Sequence, residues 1–138
     1  MNAWEHFNTE FNDNYPIYKQ IIALFSRSFV RGEIKTGERI PSIRDMAALL
    51  LVNANTMQRV YQEMERVGLI TSRRGTGYFF TEDESMVDKV GVSMARGAIN
   101  RFLGEMRELG FSDENVIQEL KNLMKEEKEN GVDTGDID

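Results

Sequence analysis

Apolar residues recur at intervals of three and four along much of this chain, which predicts a mainly helical fold. Between residues 17 and 31 the spacing indicates one amphipathic helix, which Gly32 should end. A second, short helix should begin after Ser42 and a third after Asn53, because both side chains can cap a helix start. The predicted core faces of the three helices are Ile17, Ile21, Leu24, Phe25 and Phe29, then Ile43, Met46, Ala47 and Leu50, then Met57, Val60, Tyr61, Met64 and Val67.

The pattern changes after Gly68 to two short runs rich in β-branched and aromatic residues. The runs "LITSRR" and "GYFFTE" predict two strands, joined as a hairpin around Gly75, Thr76 and Gly77. The order helix, helix, tight turn, helix, hairpin is that of a winged helix-turn-helix. The expected fold is therefore mainly α with a small β-hairpin.

Two further helices are predicted beyond the hairpin. The first should end at Gly110, and Ser112 should cap the second. Their apolar residues continue the spacing of three and four that is typical of helices that pair with one another. We therefore expect a short two-helix module whose coiled-coil-like apolar surface includes Ala95, Ile99, Phe102, Met106, Leu109, Val116, Leu120 and Leu123.

These elements divide the chain into four segments. They are an N-terminal aromatic arm (1–15), a winged helix-turn-helix domain (16–81), the two-helix module (82–125) and an acidic tail expected to be disordered (126–138). The aromatic residues of the arm would cover part of the core or a partner subunit, or else belong to a disordered segment. They are Trp4, Phe7, Phe11 and Tyr15.

The distribution of charge changes the expectation about partners. A net charge of −6 disfavours a nucleic-acid partner, because phosphate binding depends on Lys and Arg. However, residues 1–15 carry −3, residues 16–80 carry +5 and residues 81–138 carry −8. Salt screens charges that lie more than a Debye length of about 8 Å from a phosphate, so the local charge decides its binding. The basic middle segment therefore favours DNA as a partner.

Few residues are present for catalysis or metal binding. The chain has no cysteine and one histidine, His6, and no pairing of a nucleophile with a base is visible. We therefore expect no cofactor and no enzymatic activity. No signal peptide pattern and no run long enough to cross a bilayer is found, so a cytoplasmic location is expected.

The solvent-facing arc of the third helix carries side chains that can read base edges. At 100° per residue, Asn55, Arg59, Gln62 and Arg66 fall opposite the core face. Arg can bond guanine bidentately and Asn or Gln can bond adenine, while Thr56 could contact a phosphate or a thymine methyl group. Such a face can also be simply solvated. Its position after a capped short helix and a tight turn favours DNA recognition.

Arginines at two other places are candidates for phosphate contacts. Arg44 lies in the first turn of the second helix, where its charge opposes the helix dipole, so it either contacts a phosphate or pairs with an acid such as Glu38. Arg73 and Arg74 are expected to be unpaired cations at the hairpin tip. The tip could lie beside phosphates or in a minor groove. The alternative for the tip is a solvated turn whose charges serve solubility.

Four segments, "PIYKQI", "GERIPSIRDMA", "NANTMQRVYQEMERVGLI" and "SRRGTGYFF", resemble in order and spacing the N-terminal domain of the GntR family of bacterial transcription regulators, over residues 11–81. The short helical tail resembles the YtrA-like subfamily, which carries a small helical dimerisation module in place of a large effector domain. The resemblance implies that residues 82–125 are such a dimerisation module and that the eight apolar residues named above are its dimer contacts. Two positions differ from the family pattern. Leu51 stands in a turn where the family usually has Gly, and Ala54 stands where the recognition helix often begins with Pro.

The resemblance implies a homodimer that represses transcription by binding an operator with inverted half-sites. Members of this type often lie beside transporter genes, so a transporter or stress-response operon is the expected target. A small-molecule effector would need the dimer interface or a cleft, because two short helices are too small to enclose a pocket of about 300–1,000 Å³. Carried over by position, with Arg74 added at the tip, the expected DNA contacts are Ser42, Arg44, Asn53, Asn55, Thr56, Gln58, Arg59, Arg73, Arg74, Gly75, Thr76 and Gly77.

The sequence allows two other functions. The scaffold could be a winged-helix module that binds a partner protein and not DNA, although the basic middle segment disfavours this function. It could also be the N-terminal head of the aminotransferase-fused members of the family, but about 57 residues follow the hairpin, too few for that enzyme body. Dependence of duplex binding on salt would separate the first alternative from a DNA-binding regulator.

Overall fold

The computed structural model describes Trp4 and residues 10–131, and this part of the chain forms five helices and a three-stranded sheet. The elements are α1 (Ile17–Val30), β1 (Arg39–Ile40), α2 (Ile43–Leu50), α3 (Ala54–Arg66), β2 (Ile70–Arg73), β3 (Gly77–Phe80), α4 (Ser85–Glu108) and α5 (Asp113–Glu129). The chain folds as two compact units, here called the N-terminal and C-terminal units, divided between Val92 and Ser93. The expectations for His6, Phe7 and residues 132–138 lie outside the described residues.

Side chains cap α2, α3 and α5 where the sequence predicts them. The Ser42 hydroxyl accepts the backbone N–H three residues further on at 3.1 Å. The Asn53 side-chain oxygen accepts the N–H two residues on at 2.7 Å, and the Ser112 hydroxyl accepts the N–H three residues on at 3.2 Å. Each bond satisfies an N–H group that a helix start leaves unpaired. These three predicted helix starts are confirmed.

The core of the N-terminal unit lies between α1, α2, α3 and the inner face of the sheet. Phe29 of α1 stacks on Phe80 of β3 with ring centroids 5.2 Å apart, so helix and sheet share one core. Val67, predicted to face this core, is exposed because α3 ends at Arg66 and Val67 is its C-cap. The largest fully buried side chains are Ile21, Phe25, Phe29, Met46, Met57, Val60, Tyr61, Met64, Ile70 and Phe80.

Part of the aromatic arm packs on this core. Trp4 is buried, and its ring centroid lies 5.9 Å from that of Phe25 and 6.4 Å from that of Phe80. Phe11 packs against the same cluster, whereas Tyr15 is 64% exposed. Trp4 and Phe11 therefore cover the core, as expected of the arm, whereas Tyr15 does not.

The sheet contains a strand that the sequence did not predict. Its order is β1-β3-β2 and both pairings are antiparallel. The predicted hairpin is formed by β2 and β3, with Arg73 opposite Gly77. The additional strand, β1, pairs Arg39 with Phe79 and ends before Pro41. A strand of two residues is too short to leave an alternating pattern in the sequence.

The boundaries near the C-terminus differ from the predicted ones. Residues 126–129, expected to be disordered, belong to α5, which continues to Glu129. Lys and Glu are good helix formers, so an acidic run can extend a helix that has already begun. The first turns of α4 carry Met86 and Val90, which pack against the core of the N-terminal unit. That unit therefore extends to Val92, beyond the boundary at residue 81 expected from the sequence.

Tyr61 links α3 to the segment that precedes α2. Its hydroxyl donates to the Pro41 carbonyl oxygen at 2.6 Å, and burial, with smaller effects of Tyr78 and Asp45, raises the pKa of this phenol. Tyr61→Phe should lower the free energy of unfolding by about 1–2 kcal/mol, because the partly buried carbonyl loses its donor. Tyr78→Phe is the control, since that hydroxyl has no hydrogen bond to a described residue. Urea unfolding of both variants measures the difference, and equal losses would contradict a role for the hydrogen bond.

Candidate nucleic-acid interface

One face of α3 is exposed and polar. Asn55, Gln58, Arg59 and Gln62 are exposed, and Thr56 is half-buried. The opposite face of the helix is buried in the core, so packing of the N-terminal unit does not require polar side chains on the exposed face. This face is available for contact with another molecule.

Arg59 is held in place by an aromatic ring of α1. Its guanidinium carbon lies 3.7 Å from the centroid of the Tyr18 ring. A contact of this kind contributes about 0.5–1 kcal/mol at an exposed site. It restricts where the charge of Arg59 lies, while the N–H groups in the plane of the guanidinium can still donate to a ligand.

Arg66, at the C-terminal end of the same arc, is engaged by an acid. It donates to the Glu63 carboxylate at 2.9 and 3.2 Å. These hydrogen bonds lower the pKa of the Glu63 carboxyl. The charge of Arg66 is therefore neutralised by Glu63 within α3. The exposed polar side chains without an acidic partner lie in the first three turns of the helix.

The turn between α2 and α3 contains a strained residue. Leu51 has φ 56° and ψ 45°, and it is the one non-glycine residue with positive φ in the described part of the chain. Its side chain is 91% exposed. In this left-handed region the Cβ approaches the following carbonyl oxygen, which costs about 1–2 kcal/mol. The turn thus has the geometry that Gly would adopt freely, although Leu occupies it.

Leu51→Gly should raise the free energy of unfolding by about 1 kcal/mol. Relief of strain outweighs the greater backbone freedom of Gly in the unfolded chain, and the exposed side chain has little packing to lose. Ala48→Gly, at an exposed position inside α2, is the matched control and should lower the same quantity by about 0.5–1 kcal/mol. Both are measured by urea unfolding. A loss of stability with Leu51→Gly would show that Leu51 is not strained.

The start of α2 presents a hydroxyl and an exposed cation. Ser42 caps the helix, and Arg44 is exposed in the first turn. The pairing of Arg44 with Glu38 is not seen, because the Glu38 carboxylate accepts the backbone N–H of Lys35 at 2.9 Å. Arg44 makes no ion pair with any residue that the structure describes. The pairing of Arg44 with an acid, one of the two alternatives, is therefore absent among the described residues.

The hairpin tip differs from the expectation of two unpaired cations. Arg73 donates to the Glu82 carboxylate at 2.8 Å and its guanidinium carbon lies 4.1 Å from the centroid of the Phe79 ring. Arg74 is exposed and has no ion pair within the described ranges. The two glycines of the predicted turn have positive φ, 78° at Gly75 and 114° at Gly77, which glycine adopts without steric cost. The tip therefore presents one unpaired cation, and a second that an acid already holds.

The C-terminal unit has almost no core of its own. Among its described residues Val116 alone is buried, although α4 and α5 carry many apolar side chains. An open groove of about 690 Å³ lies between the two helices. It is lined by Ala98, Ile99, Phe102, Leu103, Val116, Ile117, Leu120 and Met124, with Arg107 and Asp113 as its polar residues. No helix in the described part of the chain is long and apolar enough to cross a membrane.

The residues predicted to dimerise lie mostly along this groove and a smaller one of about 250 Å³. Ile99, Phe102, Val116 and Leu120 line the larger groove. Phe102, Met106, Leu120 and Leu123 line the smaller groove. Ala95 and Leu109 are exposed and line neither. Six of the eight predicted residues thus form a continuous apolar surface, since Phe102 and Leu120 belong to both grooves.

Comparisons with known proteins identify relatives of the chain. The family model "Bacterial regulatory proteins, gntR family" matches residues 17–80. YhcF of Bacillus subtilis (strain 168), an uncharacterized HTH-type transcriptional regulator, is 38% identical over 84% of this chain and 96% of its own length. The HTH-type transcriptional repressor YtrA of the same strain is 29% identical over 82% of this chain and 88% of its own. A solved structure, a GntR family transcriptional regulator from Listeria monocytogenes, has a TM-score of 0.74 at 36% identity and covers 81% of this chain and 98% of its own.

Proposed function

Because this chain belongs to the gntR family of bacterial regulatory proteins, we propose that it is a cytoplasmic transcriptional repressor that binds an inverted-repeat DNA operator as a homodimer. The observation that carries the proposal is the exposed polar face of α3, which follows a capped α2 and a tight turn. In a helix-turn-helix, the residues of that face contact base edges in the major groove. We assign the control of a transporter or stress-response operon to it, in line with its resemblance to the YtrA-like subfamily.

The proposed contacts fall into two classes. Asn55, Gln58 and Arg59 would read base edges, because Asn and Gln bond adenine and Arg bonds guanine. The other residues would hold the DNA backbone, which fixes the register without reading the sequence. They are Ser42, Arg44, Asn53 and Thr56 around the starts of α2 and α3, and Arg73, Arg74, Gly75, Thr76 and Gly77 in the wing.

The exposed apolar grooves of the C-terminal unit support dimerisation. A two-helix unit in which only Val116 is buried, among the residues described, has too little packing to hold its conformation alone. A second copy that covers the grooves would supply the missing core, and a two-fold axis would use the same surface of both copies. Two recognition helices related by such an axis lie about 34–36 Å apart, or a multiple of this distance.

Selection of bound sequences from a random duplex pool tests the proposal. The selected duplexes should share an inverted repeat whose half-sites are about 10–10.5 base pairs apart, centre to centre, or a multiple of this spacing. A pool that shows no enrichment, or a single asymmetric half-site, would contradict sequence-specific binding by a two-fold dimer. The selected duplex then serves as the probe for the variants below.

Glu82 should compete with DNA phosphates for Arg73. The ion pair is largely exposed, so it contributes little to stability, but its carboxylate must release Arg73 before a phosphate can bind. Glu82→Gln should therefore raise the affinity for any duplex, by up to about fivefold, as measured by fluorescence anisotropy. Glu84→Gln removes the same charge from a nearby exposed residue that no arginine contacts. Equal gains in both variants would mean that only net charge matters.

A further inference from the structure

Arg39 lies on the outer face of the three-stranded sheet. It pairs with Phe79 of β3, which in turn pairs with Thr71 of β2. Residues directly opposite one another in an antiparallel sheet share a face, and so do residues two positions along each strand. Arg73 and Gly77 therefore lie on this face too. The alternate positions carry the buried side chains Ile40, Ile70 and Phe80, so the face of Arg39 is turned away from the core.

The side chain of Arg39 reaches the root of the wing tip. A Cβ placed on Gly77 would lie 3.5 Å from Arg39 Nε and 3.6 Å from Nη2. The guanidinium thus lies against the backbone at the residue where β3 leaves the tip. Because Gly77 has no side chain, its backbone can be approached closely there.

The same side chain borders the start of α2. A surface cavity of about 390 Å³ is lined in part by Arg39, Ser42 and Asp45. Ser42 is the N-cap of α2, and the first N–H groups of a helix favour an anion. Arg39 therefore adjoins both regions for which phosphate contacts are proposed, the start of α2 and the wing. It forms no ion pair with Asp45 or with any other described residue.

We propose that Arg39 binds a phosphate of the DNA backbone and so joins the contacts of α2 and of the wing into one continuous strip. The inference rests on the proposed DNA-binding function and assigns to β1 a role in it. An exposed guanidinium with no carboxylate partner keeps its planar set of donors for a phosphate, which it can bond bidentately. Neutralising a phosphate also releases a counterion, so each such contact steepens the loss of affinity with salt.

Salt titrations of three variants test the inference. Affinity for a mixed-sequence duplex, long enough to cover the length of two half-sites, is measured by fluorescence anisotropy between about 50 and 200 mM KCl. Arg39→Gln should make the slope of log K against log [KCl] shallower by about 0.9, the value for one phosphate. Arg39→Lys keeps the charge and should keep the slope. Arg31→Gln, which removes the same charge at the end of α1 where Arg31 pairs with Glu33 at 3.2 Å, should also keep it.

The outcomes separate this inference from the function on which it rests. A steep wild-type slope that Arg39→Gln leaves unchanged would overturn the role of Arg39 alone. A wild-type titration without a slope would overturn the inference together with the proposed function. Arg39→Met, which keeps the aliphatic stem, serves as a second neutral variant if Arg39→Gln melts at a lower temperature than the wild type.

Discussion

Arg59→Ala should lower the affinity for the selected duplex by about 1–3 kcal/mol, or roughly fivefold to more than a hundredfold, and should relax the preference at one base pair. Arg59 lies on the exposed face of α3 and is held over the Tyr18 ring, so its fork is already oriented in the free protein. An alanine leaves the edge of its base unpaired, and the energetic difference between the correct and wrong bases then disappears. Competition gel shifts over single-base variants of the duplex measure both effects.

Two arginines provide the controls for this prediction. Arg66→Ala changes the same residue type in the same helix, but Arg66 is bound to Glu63, so base preference should stay as in the wild type. Arg73→Ala should weaken binding evenly over all sequences, as the loss of a phosphate contact does. If Arg59→Ala also reduced affinity by the same factor on every sequence, Arg59 would not read a base.

Ile99→Lys should convert the protein to monomers and reduce the affinity for a duplex with two half-sites by about a hundredfold or more. Ile99 lines the larger apolar groove of the C-terminal unit while remaining 53% exposed. A charge at this position would be buried without a partner in a dimer, which is strongly unfavourable. Without dimerisation, the gain of about 10²–10⁴ from linking two binding sites is lost. Sedimentation velocity and gel shifts measure the two effects.

Asn100→Lys introduces the same charge one residue further along α4. Asn100 is exposed and lines neither groove, so this variant should remain a dimer. It also controls for the added positive charge, which by itself favours DNA binding. A dimeric Ile99→Lys, or a wild-type protein that sediments as a monomer at the concentrations used for DNA binding, would contradict the assigned dimer surface.

The features that depend on nearby residues could be predicted from the sequence. Ser42, Asn53 and Ser112 cap helices through bonds to backbone groups two or three residues away, so a short window of sequence contains the whole interaction. The turn at Gly75 and Gly77 is also local, because glycine has no Cβ and adopts positive φ without steric cost. The helices of the winged helix-turn-helix follow from apolar spacing, because each packs one face against the core.

The features that depend on distant residues could not be predicted in this way. The strand β1 exists because Arg39 and Ile40 pair with β3, which lies far along the chain. The contact of Arg59 with Tyr18 joins α3 to α1, and only the tertiary fold brings the two side chains together. The helical wheel placed Val67 in the core because it assumed that α3 continues for one more residue. The exposed polar face of α3 could therefore be predicted from the sequence, but not the contacts that hold Arg59 and Arg73.

The central claim is that the winged helix-turn-helix, whose residues 16–80 carry +5, binds DNA, although the chain as a whole is acidic. The affinity for the selected duplex, measured from about 50 to 200 mM KCl, tests this claim most directly. We expect log K to fall linearly with log [KCl], with a slope of about −0.9 for each phosphate contacted and hence of several units for the proposed contacts. An affinity that does not change over this range would contradict the account and would favour a winged-helix module that binds a partner protein.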